Sequence, residues 1–160
     1  MGFFKSKKGS IISDHFKALQ DIGAIRTNDM ADVALYEDHL EMKNMLTKQP
    51  ITLQYEQITD VYYGKETEIV EKDKSVIGRA VVGGLLFGGV GAVVGGVSGT
   101  GKKETKVSRF LFVISYKASS GEDAFLQFED TRLYKGPKLA KQLKELCGLE
   151  DEAAEEITSL

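Results

Sequence analysis

Ten of the chain's 17 glycines fall between Gly78 and Gly101, around an unbroken run of 21 residues without charge from Ala80 to Thr100. No other feature narrows the possible folds as much. Glycine at an interior helical position costs about 0.5–1 kcal/mol relative to alanine, so the run is not stable as an isolated helix in water. Its large side chains, Val81, Val82, Leu85, Leu86, Phe87, Val90, Val93 and Val94, need apolar neighbours. Gly84 and Gly88, then Gly91, Gly95 and Gly99, recur every fourth residue. That small-xxx-small spacing lets two helix backbones approach closely.

Three arrangements satisfy such a run. A straight transmembrane span needs about 20 apolar residues, which Ala80 to Thr100 barely supplies, and it would put two halves of one sheet on opposite sides of a bilayer. A helical hairpin turning near Gly88 to Gly91 keeps its ends together, with Arg79 at the entrance and Lys102 and Lys103 at the exit on the same side. Arms of about ten residues are too short to cross, so the hairpin serves as a shallow membrane wedge or as an interface with a second copy or another protein. The third arrangement folds the hairpin back onto its own domain. The residues expected to carry an interface are Gly84, Leu85, Phe87, Gly88, Gly91, Val94, Gly95 and Gly99. Burying roughly 500 Å² of apolar surface there would yield on the order of 12 kcal/mol before ordering costs.

The remainder has strand and helix patterns. Ile12, Phe16 and Leu19 return at spacings of four and three between Ser10 and Ile22, which predicts a short N-terminal helix ending at Gly23. ADVALYEDHLEMK predicts two short strands around a tight polar turn with Glu37 and Asp38 at its tip, Val33 and Leu35 on one face of the first strand and Leu40 and Met42 on one face of the second. Ile51, Leu53 and Tyr55 alternate, and a change of phase near Glu56 and Gln57 before Ile58, Val61 and Tyr63 predicts a bend or bulge. Glu66 to Lys74 is polar-rich and reads as the end of a strand or hairpin. In RFLFVISYK both faces are apolar, Phe110, Phe112, Ile114 and Tyr116 against Leu111 and Val113, which predicts a strand covered on both sides, with AFLQF as its hairpin partner. Pro137 opens a final helix whose stripe is Leu139, Leu143, Leu146 and Cys147, stopped by Gly148.

The segments VALYEDHLEMK, ITLQYEQITDVYYG, FLFVISYK, FLQFED and KLAKQLKELCG together resemble a bacterial pleckstrin-homology-like (PH-like) domain. The resemblance implies a mainly β (α+β) fold: a curved antiparallel sheet or partly open barrel with a C-terminal amphipathic helix. To this the residue patterns add the short N-terminal helix and the glycine-rich helical hairpin insertion. The expected organisation is an N-terminal tail and helix over 1–30, a PH-like domain over 31–149 interrupted by the insertion 75–103, and an acidic tail over 150–160. The resemblance also implies a binding platform for phosphoinositides, peptides or proteins. Lys65, Lys72 and Lys74 are the candidate basic residues for a lipid head, but Glu66, Glu68, Glu71 and Asp73 are interleaved with them, as on a solvated face.

Enzymatic readings find little support. Gly96-Val97-Ser98-Gly99-Thr100-Gly101-Lys102 approaches a phosphate-binding loop, but Lys103 stands where Ser or Thr must hold magnesium. His15 and His39 have no metal-ligand spacing around them, and Cys147 falls on an apolar stripe. No cofactor is expected. A net charge of −3 gives no general field for nucleic acid. One cysteine and a first segment, MGFFKSKKGS, unlike a secretory signal point to a reducing cytoplasm. The expectation is a non-enzymatic scaffold that self-associates or docks a protein partner through the hairpin. The alternatives are a peripheral inner-membrane protein and a soluble regulator acting through a sheet edge or loops.

Overall fold

In a computed structural model of the chain the described residues are 9–72, 76–82 and 109–149. Seven strands make one sheet in the order β4-β3-β2-β1-β7-β6-β5, every neighbouring pair antiparallel. They are β1 (Ile12–Ala18), β2 (Met30–Leu35), β3 (His39–Asn44), β4 (Pro50–Gln54), β5 (Ile58–Lys65), β6 (Phe110–Lys117) and β7 (Asp123–Glu129). Although β4 and β5 are consecutive, they lie at opposite edges, so the barrel stays open. A single 3-10 turn, Tyr55–Gln57, carries the chain across the opening, and helix α2 (Gly136–Cys147) packs against that turn, β5 and β1.

The expected hairpin forms with Val33 opposite Met42 and Leu35 opposite Leu40. The change of phase after Tyr55 is the 3-10 turn, followed by a register shift between Ile58 and Asp60. Helix α2 has proline in its first turn and ends at Gly148, whose φ of 75° is the left-handed conformation that favours glycine.

The segment expected as an N-terminal helix is instead strand β1. Asp14, Phe16 and Ala18 point inward and alternate with less buried Ser13, His15 and Lys17. A carboxylate in the inward row hid this period of two. Asp14 can occupy that position because its Oδ2 accepts the Lys135 amide at 2.9 Å and its Oδ1 accepts the His15 amide at 2.8 Å. Leu19, the third residue of the apparent helical stripe, packs on the other side of the sheet from Phe16.

Two cores result. The inner one centres on Phe16, Phe112 and Phe128, with ring centroids 5.0 to 6.1 Å apart, and is closed by Leu139 and Leu143 of α2. The outer one joins Tyr62, Leu111 and Val113 to Ile69, Ile77 and Ala80. Strand β6 separates them, which explains its two apolar faces.

Candidate functional site

The glycine-rich insertion leaves the sheet after β5 and returns into β6. These strands pair throughout, with Lys65 opposite Phe110. Just beyond that pair, the Glu66 amide donates to the Arg109 carbonyl at 2.8 Å. The Arg109 guanidinium grips the Glu66 carboxylate with two bonds, Nε to Oε1 at 3.0 Å and Nη2 to Oε2 at 3.1 Å. Glu129 of β7 stands 3.7 Å from Nη1. The hydrogen bond to Glu66 is the main cause that holds the Arg109 pKa above its ordinary value. Planar two-point pairing fixes orientation as well as distance. Entrance and exit therefore lie at one point, as a hairpin requires. A single membrane crossing between them would separate β5 from β6, so the straight-span arrangement is excluded.

From this clamp the chain turns down onto the outer face. Glu66–Lys72 is a 3-10 helix, where a strand end was expected, and it places Ile69 in the outer core. The polar residues around Ile69 obscured this, because one buried side chain in seven residues gives no period. Helix α1 (Val76–Val82) follows, with Ile77 and Ala80 buried and Val81 half-buried against the same face. The Ile77 amide reaches Asp60 Oδ2 of β5 at 3.4 Å. Beneath it, Tyr62 is buried and donates its hydroxyl to the Lys65 carbonyl at 2.6 Å. Gly64 is needed beside that ring, since a Cβ there would lie 2.8 Å from the hydroxyl oxygen. The first turns of the insertion are thus bonded into the domain.

Gly84, Leu85, Phe87, Gly88, Gly91, Val94, Gly95 and Gly99 lie outside the described residues, as do Lys74 and the glycines of the phosphate-loop-like stretch. What the structure adds to the candidate site is its base, the Glu66–Arg109 clamp and the Ile69–Ile77–Ala80 footing. The opposite charges flanking the apolar run were the only sequence signal for the clamp. Of the other singled-out residues, His15 is partly exposed between Arg132 at 2.8 Å and Asp32 at 3.7 Å, and His39 stacks on Tyr36 and bonds Asp38. Cys147 is half-buried on the inner core, and burial pushes its thiol up to about 11. Among the described residues no group of three or more His, Cys, Asp or Glu could hold a metal ion, and no helix is long and apolar enough to cross a membrane.

A seven-stranded open antiparallel sheet, a helix at its opening and an apolar glycine-rich insertion between two adjacent strands form one combination. The family model of the glycine zipper containing PH domain matches residues 10–120. The chain belongs to this family. The match begins beside β1 and extends through the insertion to just past β6, so it takes in β1 to β6 together with the glycine-rich segment. No curated protein matches the chain. As a PH-like domain it is a non-catalytic scaffold capable of protein interaction.

Proposed function

We propose that this PH-like domain is a binding scaffold whose glycine zipper, rooted on the outer sheet face, mediates self-association or docks a protein partner. The domain unit in this reading is interrupted by the insertion 75–103 and followed by an acidic tail over 150–160. The supporting observation is the shared base: a two-point Glu66–Arg109 clamp and a buried Ile77 bring both ends of an apolar, closely packable segment to one place. An interface element fixed in this way loses less conformational freedom on binding than a free loop would. Glycines at intervals of four supply a surface on which a second helix, from another copy or a partner, can pack backbone to backbone. The free, half-buried Cys147 suits a reducing cytoplasm as the setting.

Replacing Gly84, Gly88, Gly91 and Gly95 with leucine tests the proposal by mass in solution. The natural chain is expected to sediment as a multimer, or with its partner, and the substituted chain as a smaller species with unchanged far-ultraviolet circular dichroism. Equal masses for both would overturn the zipper interface and leave docking through a sheet edge as the better account.

A further inference from the structure

A second surface, independent of the zipper, lies between β7 and α2. Thr131 to Tyr134 are consecutive exposed residues, with Leu133 exposed by 57% and Tyr134 by 67%. Leu133 has φ of 51°, in the left-handed region that leucine rarely adopts and that glycine or asparagine occupies at less cost. The strain is held from below. Asp130, itself buried, accepts the Arg132 and Leu133 amides on Oδ1 at 3.2 and 2.9 Å and the Tyr63 hydroxyl on Oδ2 at 2.5 Å. Gly136 seals the arrangement, because a Cβ there would come 2.0 Å from Asp130 Oδ2. A buried network therefore holds an exposed, strained leucine beside an exposed tyrosine, at a site where neither side chain serves the core.

The exposed charges along this segment are all positive. The Arg132 guanidinium and the Lys135 ammonium lie 5.9 and 5.5 Å from the centre of the Tyr134 ring. Lys138 and Lys141 are exposed one turn apart on α2, and no acidic residue occurs from Thr131 to Lys144. We infer that the Leu133–Tyr134 tip inserts into the headgroup boundary of an anionic phospholipid surface, with Arg132, Lys135, Lys138 and Lys141 beside the headgroups. Charge complementarity selects the anionic surface. An apolar tip with an amphipathic ring, ringed by cations, fits a planar boundary between headgroups and acyl chains. The buried Asp14 and Asp130 carboxylates behind the tip disfavour a pocket for a single phosphate, so the attraction is to the surface as a whole.

Flotation of the full chain with vesicles tests this. Binding is expected to equimolar phosphatidylcholine and phosphatidylglycerol but not to phosphatidylcholine alone, and it should weaken with salt. Leu133→Gly relieves the backbone strain, so its melting temperature should equal or exceed that of the natural chain while binding falls at least about tenfold. Tyr134→Ser supplies a second loss of binding that does not depend on the backbone. Arg132→Gln with Lys138→Gln should weaken binding by roughly twenty-five-fold, about fivefold for each charge beside an anionic surface. No binding to the anionic vesicles, or equal binding by folded Leu133→Gly and the natural chain, would overturn the inference. So would capture of polyglutamate at this surface without vesicle binding, which would assign it to an acidic protein. None of these readings depends on the mass measurement that tests the zipper.

Discussion

The two sides of strand β6 are covered in different ways. On the inner side, α2 supplies Leu139 and Leu143 to a core shared by most of the strands and by three phenylalanine rings. On the outer side the cover is the short 3-10 helix, which brings Ile69 from just before the insertion, and α1, which brings Ile77 and Ala80 from its start. The inner core joins elements distant in sequence and so rises or falls with the whole fold. The outer core binds one segment to one face and can open without unravelling the sheet.

The strongest test of that difference sets Phe112→Ala against Ile77→Ala. Phe112 is completely buried among aromatic rings, and its removal is expected to cost about 3–5 kcal/mol in denaturant titration, with every strand losing protection together. Ile77 is equally buried, yet its truncation should cost only about 1–2 kcal/mol globally, because α1 can undock instead of leaving a cavity. Hydrogen exchange should show residues 76–82 opening while β6 and β7 stay protected. Equal global losses, with no selective opening, would merge the two cores into one cooperative unit.

The same difference governs how much could be read from the sequence. The β2–β3 hairpin, the two-sided β6 and the stripe on α2 were legible because each keeps its own period over six or more residues. Strand β1 was not, because inward-facing Asp14 breaks the apolar alternation, and one of the two amides that make that carboxylate acceptable comes from distant Lys135. The footing of the insertion was hidden too: Ile69 and Ile77 come from two short helices too brief to show a period, and only the folded outer core brings them together. The Leu133–Tyr134 tip carries no period at all, and its conformation depends on an aspartate buried below it. Local pattern reveals elements, whereas buried polar groups that tie distant segments together have no local pattern to reveal.

The clamp between the two sides should give a smaller effect. Arg109→Gln keeps the stem of the side chain but removes its two-point bond to Glu66 and its approach to Glu129. Both partners retain some solvent access, so the expected loss is about 1 kcal/mol, greatest at low salt. The sharper readout is local, with faster exchange at Glu66 to Val82 and little change around Phe128. If the sheet instead loses protection uniformly, the clamp belongs to the scaffold and not to the insertion's base.

The smallest expected effect probes the inner cover. Cys147 packs half-buried at the end of α2, where burial favours the neutral thiol and raises its pKa from 9.0 to about 11. Below about pH 8 the thiol is neutral in both the folded and the unfolded chain, so it adds no pH dependence there. As pH rises from about 9 to about 11, the unfolded chain gives up its thiol proton first and binds fewer protons than the folded one, so stability falls with pH in that window. Partial exposure screens the effect to less than about 1 kcal/mol. Cys147→Ser should flatten this part of the stability profile and leave the profile below about pH 8 parallel to that of the natural chain. An unchanged slope between pH 9 and 11 would mean that the end of α2 opens readily to water, and the inner cover would then be as easily released as the outer one.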